Sequence, residues 1–183
     1  MAMSWMTSVK DTGKLTVFNG LNAGRWATVF KPALDSFNKL SNQYGLGVKL
    51  EGATDKAQAN VVMQLSGGTA SFEYDGNVGT ASFDGTAAHG ITLIFSRDGA
   101  VEKAASFLPT NPKENHVDVL TFIAVHELIH ACGLDNNDHA NDGVFMTLPN
   151  IRGGKIWASQ DSKKMPPLFL APSTVSKIQG VWS

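Results

Sequence analysis

The sequence is poor in residues that would place it in several common classes. A single cysteine, Cys132, leaves no internal disulfide to staple a small scaffold. Charged residues make up only 17% of the chain, and 15 Lys and Arg against 16 Asp and Glu leave a net charge of −1. That excludes the basic field that holds nucleic acid or an anionic membrane, so neither is expected as a partner. Low charge beside 43% hydrophobic content also excludes intrinsic disorder. No apolar run approaches the roughly 18 residues of a membrane span. The opening MAMSWMTSVKDTGK has no basic start followed by an apolar stretch. No signal peptide is therefore expected, and the chain is expected to be cytoplasmic or released by a non-classical route.

What is present fits one globular domain over residues 1–183, expected to be a monomer with residues 1–13 as a flexible N-terminal segment. Lys14–Phe18 reads as a first strand, ended by Asn19-Gly20. Trp26, Val29, Phe30, Ala33, Leu34, Phe37 and Leu40 fall at helical spacing and predict a helix running to Tyr44. Pro32 inside it implies either a bend or an irregular first turn, and Gly45 closes it. Val48–Leu50, Asn60–Leu65 and Ile91–Phe95 read as strands, and Thr80–Phe83 carries a short alternation. The sequence between Gly67 and Gly90 is rich in small residues. Leu134 to Ala171 shows no clear period, and Ser173 to Trp182 predicts a closing helix.

The informative stretch is VDVLTFIAVHELIHAC, from Val117 to Cys132. It is apolar almost all round, which predicts a helix buried in the middle of the domain. Asn115-x-x-Asp118 resembles a capping box at its start, and Gly133 is a natural stop. Within it stand His126, Glu127 and His130. Residues four apart on a helix lie about 40° apart around the axis, so the two imidazoles project side by side and can meet one zinc ion. Glu127 lies about 60° beyond His130, beside the metal, where it can take a proton from a zinc-activated water. A buried carboxylate without a partner costs several kcal/mol, and a metal site gives a reason to keep it. Cys132, about 240° from His126, points away and reads as core. Two histidines and one further ligand make an open, catalytic site.

His126-Glu127-x-x-His130-x-x-Gly133 followed by another histidine resembles the signature of the metzincin metallopeptidases. Gly143-Val144-Phe145-Met146-Thr147 resembles their Met-turn, with Met146 under the metal. The order of elements, and the Ile-Gln and terminal aromatic of STVSKIQGVW, are similar to the matrixin branch. The resemblance implies an α/β (α+β) zincin fold: a mixed twisted sheet, a long packing helix, a central active-site helix and a C-terminal helix. It also implies one catalytic Zn2+ and a zinc-dependent endopeptidase, with peptide or protein substrate extended in the cleft along an edge strand near Gly79–Phe83. The segment from Thr147 to Leu170, with Ile151, Trp157 and Leu168, resembles the wall of the pocket just beyond the cleaved bond. A catalytically silent zincin-fold domain and a zinc amidase acting on cell-wall peptides are the alternatives.

The family pattern places a histidine three residues after the glycine, where this chain has Asn136. We expect His139 to be the third ligand, because imidazole is a better zinc donor than a neutral amide. Six residues also let the loop return to the metal. Asn136 and Asp138 are its competitors. Family members often carry a proline two residues after the methionine; here Leu148 stands there and Pro149 follows. The tyrosine that some members use as a fifth ligand has no counterpart. His89 and His116 read as polar or capping residues, with His89 near the cleft. Asp135, Asp138 and Asp142 read as loop carboxylates that could also orient imidazoles. No oxygen-ligand pattern in Asp75–Asp84 supports Ca2+.

Overall fold

The computed structural model describes residues 1–87, 89–113, 116–147 and 168–183. It is a mixed α/β arrangement built on one five-stranded sheet. The strands in chain order are β1 (Lys14–Gly20), β2 (Lys49–Ala53), β3 (Val61–Ser66), β4 (Ala70–Tyr74), β5 (Asn77–Ala81), β6 (Ile91–Arg97) and β7 (Ala100–Pro109). The helices are α1 (Thr7–Lys10), α2 (Phe30–Tyr44), α3 (Val117–Ala131) and α4 (Pro172–Trp182). The sheet order is β2-β1-β3-β7-β6, and β4 and β5 form a separate hairpin. All neighbours in the sheet are parallel except β6, which runs antiparallel to β7 and ends the sheet.

Period-2 alternation sorts β6 and β7 between two cores. Ile91, Leu93, Ala105 and Phe107 face the β4–β5 hairpin, where Phe72 and Phe83 cover them. Ile94, Ala104 and Leu108 join the main core under α2 and α3. Pro32 sits in the first turn of α2, where its missing N–H has no helical partner to lose. The preceding turn, Gly24–Thr28, is 3₁₀. α3 is buried at every residue from Val119 to Ala131, as its all-round apolar sequence predicts. Its N-cap is His116, whose Nδ1 accepts from the Asp118 N–H. Asn115, the expected capping residue, lies outside the described residues. Among the described residues no helix is long and apolar enough to cross a membrane.

The sheet contains β7, a ten-residue strand with no counterpart among the elements expected from the sequence. Its Ala, Glu and Lys are weak strand formers, but it lies between β3 and β6 and is fully paired there. Lys103 within it is buried because the carbonyls of Lys56, Ala57 and Ala59 take its ammonium. Within residues 1–13, Trp5 and Met3 hold the segment against the body of the protein. Trp5 is 1% exposed and bridges Val101, and its Nε1 donates to the Ala131 carbonyl at 2.9 Å. The Met3 N–H donates to the Gly133 carbonyl at 2.7 Å. Gly133 has φ +115°, and a Cβ there would lie 2.0 Å from the Met3 carbonyl oxygen. Only glycine lets the segment approach the end of α3 this closely.

Trp5→Ala should therefore cost about 3–5 kcal/mol, the usual range for emptying a buried tryptophan position. Urea unfolding of parent and variant measures it. A loss under about 1 kcal/mol would mean that the segment does not dock.

Candidate metal centre

α3 delivers His126 and His130 to the same side, one turn apart. Their Nδ1 atoms face carbonyl oxygens: His126 faces Val144 at 2.9 Å and His130 faces Leu134 at 2.7 Å. A carbonyl can only accept, so each Nδ1 carries the proton and each Nε2 presents a lone pair. The loop after Gly133 turns back through a 3₁₀ turn, Asn136–Asp138, and brings in His139. Its Nε2 lies 3.1 Å from that of His126 and 3.0 Å from that of His130. The three donor nitrogens all lie within 4.8 Å of one another. Lone pairs this close repel unless a cation stands between them, so the three histidines can hold a metal ion.

Burial pushes the His126 pKa well below its usual range, helped by the neighbouring His130. Burial likewise lowers His130 to about 4, against the raising effect of its bond to Leu134. Half-buried His139 is lowered by the same cause, and its bond to the Asn136 backbone opposes the shift. All three imidazoles are thus neutral and ready to coordinate near pH 7.

The competitors for the third place do other work. Asn136 lines the cavity beside the cluster and supplies the backbone group that His139 bonds. Asp138 forms a capping box with Asp135 and also meets Lys177. The partners that orient the imidazoles are backbone groups, not Asp135 or Asp138. Asp142 accepts from the Gly143 N–H. Cys132 is fully buried, its thiol 3.4 Å from the Leu128 carbonyl, and burial raises its pKa.

Gly143 to Thr147 forms the turn that supplies the Val144 carbonyl. Met146 is buried there and bridges Ala140. The ring against the histidines is Phe145, whose centroid lies 5.1, 4.6 and 4.8 Å from those of His126, His130 and His139. In the sequence, the one signal for Phe145 is its place beside Met146. Ile151 and Trp157, expected in the pocket wall, lie outside the described residues. Leu168 packs on the main core.

A cavity of about 200 Å3 opens over the cluster, walled by Ile91, Phe122 and Ile123 and also lined by His89 and Gly90. Glu127 sits in its wall, 2% exposed. Burial raises its pKa to about 8, although a hydrogen bond from Thr92 opposes the shift. Gly90, also unremarked in the sequence, makes room for it. A Cβ at position 90 would lie 2.6 Å from Glu127 Cγ and 2.7 Å from the Phe107 carbonyl oxygen. The expected substrate edge near Gly79–Phe83 is not among the cavity-lining residues; Gly79 packs on Phe95 instead. The strand at the cavity is β6. In the acidic stretch Asp75–Asp84, Asp75 pairs with Arg97 and Asp84 accepts from Thr86.

Comparison with protein-family models gives no match, and comparison with curated proteins gives none either.

The metal-free protein should be most stable between about pH 6 and 7. Each lowered histidine binds protons more readily when unfolded, so stability falls as pH drops from about 6.5 toward the His130 value of about 4. Glu127 acts oppositely: the folded state holds its proton more tightly, so stability falls as pH rises from 4.5 through about 8. Thermal melting of chelated protein across pH 4–9 measures both limbs. A profile still rising through pH 8 contradicts the burial of Glu127.

Proposed function

We propose that this chain is a zinc endopeptidase with a metzincin-like fold of the matrixin kind. The observation that carries the reading is the convergence of three imidazole Nε2 atoms beside a buried glutamate, on the wall of a largely apolar cavity. The donor set favours zinc. Nitrogens bound tetrahedrally at about 2.0–2.1 Å lie about 3.3 Å apart, close to the 3.0 and 3.1 Å separations seen here. Three protein donors also leave a fourth position open, which is the arrangement of hydrolytic rather than structural zinc. Zinc held there supplies Lewis acidity, which acidifies water near neutral pH and polarises a peptide carbonyl.

The chain's own residues supply the rest. Glu127 takes a proton from the attacking water and returns it to the leaving amine. Its raised basicity suits that exchange near neutral pH. Ile91, Phe122 and Ile123 keep bulk water from the reacting centre. β6 is the sheet's outer strand beyond β7, and its first residue, Ile91, reaches the cavity. An extended peptide added to that edge by main-chain hydrogen bonds passes the histidines. The turn at Gly143 to Thr147 acts as the Met-turn, with the Val144 carbonyl orienting His126.

Two outcomes test the reading. Glu127→Gln should retain one zinc per chain and lose about 10²–10⁴ in hydrolysis of a proteome-derived peptide library, the usual scale of proton-transfer catalysis. Near-normal turnover would remove the mechanism, and cleavage confined to cell-wall peptides would move the activity to the amidase class. His139→Ala should lose zinc affinity by at least about tenfold, while Asn136→Ala and Asp138→Ala keep it. Zinc content by elemental analysis decides. Loss in either of the latter two with retention in His139→Ala would reassign the third ligand.

A further inference from the structure

We infer that Ser106 and Thr92 form a two-hydroxyl relay that fixes the carboxylate of Glu127, which makes Thr92 a positioning residue for proton transfer. The inference rests on the reading of Glu127 as the general base. Thr92 and Ser106 stand opposite each other on β6 and β7, in register, on the sheet face that α3 covers. Thr92 Oγ1 lies 2.7 Å from Glu127 Oε2 and 2.9 Å from Ser106 Oγ. In the ionised form that a general base must take, the carboxylate can only accept, so Thr92 donates its single proton to Oε2, with the Glu127 backbone carbonyl a longer second acceptor at 3.3 Å. The contact between the hydroxyls must then run from Ser106 to Thr92. Ser106 is fully buried, so it has no water to compete for its proton. The relay therefore has one direction, from β7 through β6 into the base.

The geometry has a consequence for the other carboxylate oxygen. Oε2 is held by Thr92, and Gly90 leaves the side chain of Glu127 space that a Cβ at position 90 would occupy. Oε1 is left as the proton-accepting oxygen. A base held in one orientation reaches its proton without first searching rotamers, and misplacement by about 1 Å can cost a hundredfold. Zinc takes imidazole, thiolate and carboxylate donors in preference to a neutral hydroxyl, and the donors that converge here are those of His126, His130 and His139. Loss of either hydroxyl should leave metal binding intact.

The test uses the zinc-loaded chain and the best substrate from the peptide library. Thr92→Val should lower kcat by about tenfold to a hundredfold while KM and zinc affinity stay within about twofold. Thr92→Ser should restore kcat to within about threefold, because it returns the hydroxyl. A Thr92→Val kcat equal to the parent's, or a Thr92→Ser variant as slow as Thr92→Val, overturns the relay. A second measurement needs no activity. Melting temperatures of Thr92→Val, Glu127→Met and the double variant should be non-additive by about 3 °C or more, the scale of a charge-assisted hydrogen bond in a chain of this size. Additive shifts overturn the relay whatever the parent's activity. A parent that cleaves no peptide overturns the endopeptidase reading, while non-additive melting would still support the fixed carboxylate.

Discussion

α3 runs through the middle of the protein with no exposed side from Val119 to Ala131. Everything polar on it must therefore find a partner inside the fold, since an unpaired buried group costs several kcal/mol. The helix carries two imidazoles and a carboxylate within five residues. That one constraint accounts for much of the rest. The loop after Gly133 brings a third imidazole to the first two. The turn at Val144 offers a carbonyl to His126. The sheet offers a hydroxyl to Glu127.

The C-terminal end of α3 shows the same demand met by backbone groups. The carbonyls of Leu128, Ile129 and His130 are taken by the N–H groups of Cys132, Gly133 and Leu134, but that of Ala131 and those just beyond the helix need donors from elsewhere. Trp5 donates to Ala131, Trp182 to Cys132, Met3 to Gly133 and His130 to Leu134. Segments from both ends of the sequence thus hold the strand of chain that leads to His139. Since His130 takes part in the same series, the packing of the two tryptophans and the aim of one of the three clustered imidazoles belong to one hydrogen-bonded structure. The loop itself is closed by the capping box of Asp135 and Asp138 and by Lys177 of α4.

Much of the helical framework was legible because helical order is local. The apolar faces of α2 and α3 show as spacings three and four residues apart, and Gly45 and Gly133 mark where those helices stop. The hairpins were less legible, although their turns carry a plain signal. Asp75-Gly76 and Asp98-Gly99 both adopt positive φ at both positions, the requirement of the tight β-hairpin turn. Read as a turn, Asp98-Gly99 would have pointed to β7, whose alanines and lysine hide it from a search for branched and aromatic residues. Trp5 was passed over because a short segment with no period gives no sign of what it will pack against.

The sequence by itself determined that His126 and His130 share one face of a buried helix with Glu127 beside them, because the helix turns about 100° per residue whatever surrounds it. It also left a short choice of residues to join them, and the structure brings His139 to the pair. Tertiary structure alone decided the rest. Thr92 meets Glu127 across 35 residues and Trp5 meets Ala131 across 126. Gly90 had to lack a side chain because Glu127 arrives there, and Phe145 had to lie against three rings drawn from two segments. No local period encodes such meetings: they exist only once the sheet, the buried helix and the returning loop compete for the same interior space, and close packing leaves each of those groups a single place to go.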